Sequence, residues 1–389
     1  MTIVFVSNYF NHHQRALSNS LFSLTKGKYT FISTAPMRQE RSALGYGETN
    51  IPDYVWYSYK DPVSNAQCQQ LIDTADVVIA GSSPESMLAK RIRQGKLTLR
   101  YMERPFKKGQ HLLEYPLRYI KWHFQNPSSK PVYLLCASAY ASADYHRYGL
   151  FSEKCFRWGY FPQKKTYDSI QKLLEQKNRT QLLWVGRFLD WKHPDDAVYL
   201  AEQLRNDGYT FQLSFVGCGE MEDELQRLIA EKGLDDCVRL LGPMKPQQVR
   251  EYMERAGIFL FTSDRQEGWG AVLNEAMNSG CAVVSSDAAG AVPYLLSDQE
   301  NGLAYHSGDV DELHKKVKRL LDHPEEQQRL GEAAYSTIAN QWNAEVAACR
   351  LIQLTQAILS GEKQPDLFET GPCSRAEIVR EDWFAANPE

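Results

Sequence analysis

Residues 262–286 read TSDRQEGWGAVLNEAMNSGCAVVSS, and three kinds of local structure follow one another there. The apolar, β-rich run 258–262 leads in and reads as a buried parallel strand. A polar turn with two glycines, 264–270, comes next. The helical stretch 271–279 is then stopped by Gly280, and a second strand, 281–285, starts at once. A strand, a glycine-bearing turn and a helix N-terminus leave free backbone N–H groups and a positive dipole end at the crevice of an open sheet. Anionic ligands bind at such places. Glu267 lies in the turn and Glu275 about one turn inside the helix, so two carboxylates flank this anion site. Carboxylates repel phosphate but accept from hydroxyls, which points to a sugar, a ribose or both beside it. The competing reading makes Glu267 a solvated N-terminal charge and Glu275 an exposed helix residue.

At 389 residues the chain is too long for one ordinary core, and two domains are expected. Its 43% hydrophobic and 24% charged residues are those of an ordinary globular protein, and a net charge of −4 offers no general attraction to nucleic acid. The eight cysteines form no CxxC pair and several lie in apolar runs, which suits buried thiols in a reducing compartment. The opening residues 1–10 lack a basic n-region and alternate like a strand, so no signal peptide is expected. No apolar run approaches the ~20 residues of a membrane span. The expected location is cytoplasmic.

Strand candidates at 2–7, 29–33, 77–80, 97–102, 132–136 and 155–158 alternate with helical stretches such as 11–24, 63–74 and 85–94. That alternation implies a parallel sheet with helices on both faces. Two places in this half could carry chemistry. The turn after the first strand, Asn8-Tyr9-Phe10-Asn11-His12-His13-Gln14, could hydrogen-bond a sugar or a leaving phosphate. Adjacent histidines are expected to point apart, which argues against a metal, and helix capping by Asn11 is the competing reading. The second place is 100–121, where Arg100, Arg104, Lys107, Lys108, Arg118 and Lys121 outweigh Glu103 and Glu114. Phe106, Leu112, Leu113, Tyr115, Leu117, Tyr119, Ile120 and Trp122 are interleaved with them, a composition suited to peripheral contact through 100–122 with the inner face of a membrane. Glu103, at a strand end, could instead serve as an active-site carboxylate.

The lysine-rich segment 162–179 reads as an interdomain connection with a short helix. A second sheet follows. Strand 181–185 ends at Gly186-Arg187, and Lys192-His193-Pro194 opens a helix, so Arg187 and Lys192 share one β–α junction where two cations can grip a diphosphate. Strand 212–216 runs into Gly217-Cys218-Gly219-Glu220-Met221-Glu222, which starts like a dinucleotide fingerprint but has Glu222 in place of the third glycine. Its two glycines still allow close approach of backbone to ligand. Strand 238–241 ends at Gly242-Pro243. Residues 288–296 and 301–304 form another turn-rich edge, and Asp309, with DxD spacing to Asp311, directly precedes a helix and reads as its N-cap. Helices at 324–341 and 345–359 close the second domain, and Ile378, Trp383 and Phe384 in the tail are expected to pack on something. The domain reading is 1–165 for the acceptor side, 178–365 for nucleotide-sugar binding, and 366–389 for a tail returning to the first domain.

Three motifs in order, Val185-Gly186-Arg187 with Lys192, Val216-Gly217-Cys218-Gly219, and Glu267-Gly268-Trp269-Gly270 with Glu275-Ala276-Met277 and Gly280, resemble the retaining glycosyltransferases of the GT-B fold, family four. The resemblance covers roughly 182–342. It implies an α/β GT-B architecture, with two Rossmann-like βαβ domains facing across a cleft. It also implies a nucleotide-diphosphate sugar as donor, bound at Gly186, Arg187, Lys192, Gly217, Gly219, Gly242, Glu267, Gly268, Trp269, Gly270, Ala271, Val272 and Glu275. Arg187 and Lys192 would hold the diphosphate. Backbone N–H groups from Gly268 to Val272 would meet sugar and phosphate, with Glu267 on the donor-sugar hydroxyls and Glu275 on the ribose. No metal and no cofactor are implied. The Asn11–Gln14 turn with Glu103-Arg104 is similar to a bacterial branch that builds surface polysaccharides. By position it makes Asn11, His12, His13 and Glu103 acceptor-side candidates, with His12 and His13 as leaving-group candidates beside Glu267, Arg187 and Lys192. Tyr294 stands where the family commonly has Glu, so that position receives no role. The expected partners are a nucleotide sugar and a saccharide or lipid-linked acceptor. A nucleotide-sugar epimerase or hydrolase on the same fold, or a non-catalytic binding subunit, is the alternative.

Overall fold

The structure, a computed structural model, describes residues 1–37, 50–109 and 115–384. Two compact units emerge. The first holds Met1–Gln163 and Asn343–Arg380, and the second holds Lys164–Trp342 with the described residues from Glu381 on.

The first unit is built on Ile3–Ser7 (β1), Tyr29–Ser33 (β2), Val55–Tyr57 (β3), Val77–Ala80 (β4), Thr98–Met102 (β5), Val132–Cys136 (β6) and Cys155–Arg157 (β7). These pair in parallel in the order β3-β2-β1-β4-β5-β6-β7. β1, β4 and β6 are buried at every residue, as strands covered on both faces by helices must be. The second unit repeats the plan with Asn178–Val185 (β8), Gln212–Val216 (β9), Val238–Leu240 (β10), Ala256–Phe261 (β11), Ala282–Ser286 (β12) and Leu303–Tyr305 (β13). Its order is β10-β9-β8-β11-β12-β13, again all parallel. Both are doubly wound Rossmann orders, reversing beside the first strand of each unit.

β3 and β13, three residues each, go beyond the strands expected from sequence, as does helix Glu222–Glu231, which lies just past the glycine pair. The closing helix Ala344–Leu359 was expected in the nucleotide-sugar domain but belongs to the first unit, where it packs on helix His12–Leu24. Conversely, the lysine-rich connection is part of the second unit. Lys177 Nζ donates to Met253 O at 2.8 Å and Ala256 O at 2.9 Å, and Tyr167 OH reaches Glu254 at 2.7 Å. In the tail, Arg157 N donates to Ser374 O and Cys373 N to Arg157 O, both at 2.8 Å, so the segment covers the edge strand β7. Further along, Trp383 Nε1 donates to Asp287 O at 3.3 Å in the second unit, while Ile378 is exposed. Residues 385–389 of the expected tail lie outside the described residues.

A buried guanidinium fastens the first unit's helices beside β4 and β5. Arg91, fully buried, donates to the carbonyls of Ile72, Ala75, Asp76 and Leu97 at 2.6–3.0 Å. It thus caps the end of helix Pro62–Thr74, where unpaired carbonyls concentrate. Desolvation lowers its pKa to about 10. Arg91→Met keeps the apolar stem and removes every donor. The expected loss is about 3 kcal/mol or more, read as a lower urea midpoint. An unchanged midpoint would show that those carbonyls do not need it.

Candidate active site

In the second sheet the strand order reverses between β8 and β11, and the crevice outside their carboxyl ends is where such folds bind ligands. Gly186, Arg187 and Lys192 follow β8, Gly217 and Gly219 follow β9, Gly242 follows β10, and Glu267 to Gly270 follow β11. The fold therefore brings the predicted donor-binding positions to one end of one sheet.

At Gly217 and Gly219 the neighbouring backbone leaves no room for a side chain. A Cβ on Gly217, whose φ is +145°, would lie 1.8 Å from Gly186 O, and one on Gly219 would lie 2.3 Å from Phe188 O. The loops after β8 and β9 pack backbone on backbone, joined by Gly186 N to Val216 O at 3.1 Å and Phe188 N to Cys218 O at 3.0 Å. Gly217 N donates to Gly242 O at 3.0 Å, tying in the turn after β10.

Lys192 Nζ pairs with Glu267 Oε2, and both side chains are nearly buried, at 12% and 13% exposure. Their loops are laced together from below. Thr262 Oγ1 donates to Lys192 O at 2.6 Å and accepts from Trp184 Nε1 at 2.9 Å, while Asp264 N donates to Trp191 O at 2.9 Å. Ser263 Oγ adds a 3.3 Å bond to Glu267 Oε2, and the Trp191 ring lies 4.7 Å from Lys192 Nζ. The sequence analysis sets Lys192 and Arg187 at one junction as two cations for a diphosphate, with no bond between them. Here Arg187 is exposed, with no ion pair among the described residues, and the partner of Lys192 is Glu267. Thr262, Ser263 and Trp184 escaped the sequence reading, although two polar residues closing an apolar strand were a usable signal.

The loop from Glu267 to Gly270 is held by Gly290 N to Glu267 O at 3.1 Å and Ala291 N to Trp269 O at 3.2 Å. Gly270, at φ +91°, admits no side chain, since a Cβ would meet the Phe261 ring at 2.3 Å. Helix Ala271–Asn278 starts there, and the N–H groups of Gly268, Trp269, Gly270, Ala271 and Val272 donate to nothing among the described residues. Trp269 contributes backbone only. Its side chain is fully buried against Tyr294 and Trp342, with Nε1 donating to Asn274 at 2.8 Å. Glu275, half-buried, receives no hydrogen bond on its carboxylate among the described residues. Burial raises its pKa and Arg250 partly offsets the rise.

Beside this site, His193, Asp195 and Asp196 place ligand atoms within 4.8 Å of one another and could hold a cation. The two acids also fall in the first turn of helix Pro194–Asn206, where the dipole favours them without one. His193 Nε2 lies 3.6 Å from Asp264 Oδ2, and that carboxylate raises the imidazole pKa. Asp309 caps its helix, accepting from Glu312 N at 2.8 Å.

In the first unit, Asn11 accepts from His13 N at 2.9 Å while Gln14 accepts from Asn11 N at 3.2 Å, so a capping box takes up both side chains. The His12 and His13 rings do not point apart, for their centroids are 4.0 Å from each other. The His13 ring lies 6.2 Å from that of Tyr160, whose hydroxyl donates to Glu103 Oε1 at 2.8 Å; Glu103 Oε2 pairs with Lys107. The fold thus gathers His12, His13, Tyr160, Glu103 and Lys107. Tyr160 carried no signal in the sequence. Arg100 binds Glu85 through both terminal nitrogens at 2.9 Å, and buried Arg104 pairs with buried Asp144 at 3.2 Å. Half of the basic cluster read from 100–121 is therefore neutralised internally. Leu112, Leu113 and Glu114 lie outside the described residues.

Residues 166–337 match the family of glycosyl transferases group 1. Among curated proteins, the amylovoran biosynthesis glycosyltransferase AmsK of Erwinia amylovora is 28% identical over 52% of this chain and 50% of its own length. The D-inositol 3-phosphate glycosyltransferase of Corynebacterium aurimucosum is 30% identical over 43% and 41%. The match spans about half the length of these relatives. Among solved structures, HepE of Anabaena in complex with UDP superposes with a TM-score of 0.69, at 16% identity, over 92% of this chain and all of that one. The sucrose-phosphate synthase of Thermosynechococcus elongatus gives 0.64 at 15% identity, over 92% of this chain and 100% of that one. The chain has the GT-B fold. Its family-matched segment carries the crevice residues just described, from Gly186 to Glu275.

Asp196 provides a pH signature. Burial, then repulsion from Asp195, raises its pKa to about 6, with His193 lowering it in part. A carboxyl whose folded pKa exceeds its unfolded value favours folding while protonated, and that stability is lost as pH rises from about 4 to 6. Asp196→Asn should therefore melt a few degrees above wild type at pH 7.5, with the advantage vanishing near pH 4. A variant less stable at both pH values would contradict this account.

Proposed function

We propose that this protein is a glycosyltransferase that moves a sugar from a nucleotide-diphosphate sugar to a saccharide or lipid-linked acceptor, with retention at the anomeric carbon and without a metal ion. The observation that carries the reading is the half-built recognition surface at the switch point. It comprises a nearly buried Lys192–Glu267 pair, an exposed Arg187, and, among the described residues, five N–H groups with nothing to donate to and a Glu275 carboxylate with no donor. A diphosphate takes the cations and the N–H groups, and hydroxyls take the carboxylates. Sugar hydroxyls go to Glu267 and ribose hydroxyls to Glu275. The match of residues 166–337 to group 1 glycosyl transferases supports the same assignment.

In this reading the bond between the anomeric carbon and the phosphate oxygen breaks, and the diphosphate leaves with the electron pair. The acceptor oxygen bonds that carbon on the same face, and its proton passes to the departing phosphate. Lys192, Arg187 and the helix dipole stabilise the developing charge, which makes leaving-group stabilisation the main catalytic term. His12, His13 and Glu103 are proposed on the acceptor side, with Tyr160 and Lys107 fixing Glu103. UDP is placed ahead of GDP as the nucleotide, since HepE is solved with UDP, although one curated relative from Corynebacterium glutamicum is a GDP-mannose-dependent mannosyltransferase. Cell-surface polysaccharide synthesis in the cytoplasm fits the amylovoran relative and eight unpaired thiols.

A thermal-shift panel of UDP, GDP, ADP and CMP, with and without magnesium, tests the donor side through binding linkage. One nucleoside diphosphate should raise the melting temperature regardless of magnesium, and no response to any would remove the donor assignment. Lys192→Ala and Glu267→Gln should each lower turnover by two or more orders of magnitude while preserving the fold by circular dichroism. Near-normal turnover in both would overturn the site.

A further inference from the structure

Helix Ala271–Asn278 turns its N–H groups to the crevice, and its far end is met by a cation from a neighbouring helix. Arg250, on helix Pro246–Arg255, donates through Nη1 to Glu275 O at 3.0 Å, Asn278 Oδ1 at 3.1 Å and Ser279 Oγ at 3.2 Å. A guanidinium there faces the negative end of the helix dipole. One of its three acceptors belongs to Glu275, whose carboxylate receives no hydrogen bond among the described residues. Burial raises the pKa of that carboxyl, and Arg250 is the one charge among the described residues that lowers it.

The helix end does not rely on Arg250 alone. Asn278 Oδ1 accepts from Lys165 N at 2.8 Å, and Asn278 Nδ2 donates to Lys165 O at 3.1 Å. Ser279 Oγ donates to Glu275 O at 2.8 Å, while Ser279 N and Gly280 N close the last turn onto Glu275 O and Met277 O, both at 3.0 Å. Glu254, the acid one turn beyond Arg250, is taken up by Lys165 Nζ and Tyr167 OH. The charge of Arg250 therefore lies where the helix is already fastened, beside a carboxylate that burial works against.

We propose that Arg250 is a positioning residue for nucleotide recognition, holding the Glu275 carboxylate as a charged acceptor for the two ribose hydroxyls of the donor. The inference rests on the assignment of Glu275 to the ribose and adds the residue that maintains that contact. An ionised carboxylate accepts from two hydroxyls at once, and each such bond is charge-assisted. A protonated one must place a proton of its own and loses that advantage. Arg250 itself touches no part of the nucleotide in this scheme. A clamp that merely fixed the helix would act differently, since displacing the helix would weaken the phosphate at its N-terminus along with the ribose at Glu275.

The test is titration calorimetry of the full chain with UDP and GDP, each beside its counterpart lacking both ribose hydroxyls. Wild type should bind one of the two nucleotides about tenfold or more tighter than that counterpart. Arg250→Met and Arg250→Gln should each cut the ratio to about threefold or less, while the hydroxyl-free form binds within about twofold of wild type. Arg250→Lys, which keeps the charge, should retain most of the ratio. Variants that lose both nucleotide forms alike would show a clamp only and overturn the proposal. An unchanged ratio in Arg250→Met and Arg250→Gln, or a lysine that preserves none of it, would overturn it too, and would leave the ribose role of Glu275 standing. Wild type that binds neither nucleotide, or that ignores the ribose hydroxyls, would remove the Glu275 assignment and this inference with it.

Discussion

The crevice of the second unit is organised by one arrangement of charge, the Lys192–Glu267 pair at the carboxyl ends of β8 and β11. Two opposite charges held nearly out of water are costly to separate, because removing either strands the other in a low-dielectric site. Their positions are fixed by neutral bonds beneath them. Thr262 links the Lys192 carbonyl to the Trp184 indole, and Ser263 reaches the Glu267 carboxylate. The pair is thus pre-positioned, and an anion arriving beside it meets a cation and N–H groups that need little rearrangement. Glycine is required at Gly217 and Gly219 because the neighbouring loops approach closer than a Cβ allows.

The first unit uses charge in another way. Arg91 and Arg104 are buried and spent on carbonyls and on Asp144, and Arg100 is bound to Glu85 and Asn126. These side chains hold helices to the sheet. Glu103 sits between Lys107 and Tyr160 at the end of β5, oriented by a cation on one oxygen and a phenol on the other. The apolar residues of helix Tyr115–Gln125 divide likewise, Tyr115 and Trp122 packing on Tyr148 and Leu117, Ile120 and Phe124 turning away.

Much of this could be read before folding. Long apolar runs such as 77–80, 132–136 and 258–261 announce themselves, because buried parallel strands need apolar residues on both faces. β3 and β13 did not, since three residues carry no periodicity and Trp56 is 39% exposed; pairing with a neighbour makes them strands. Helix Ala344–Leu359 was legible as a helix but not in its allegiance, because amphipathic spacing states that a face is buried and never against what.

The sequence by itself determined the α/β class, the alternation of elements and the glycine and charge positions at the strand ends, because these rest on local periodicity and local steric limits. Only the tertiary structure decided which charge meets which. Lys192 meets Glu267, seventy-five residues away along the chain. Trp269 went into the core with Trp342, and half of a basic cluster was neutralised from within. The physical reason is that electrostatics and packing act through space, and separation along the chain sets neither distance nor dielectric.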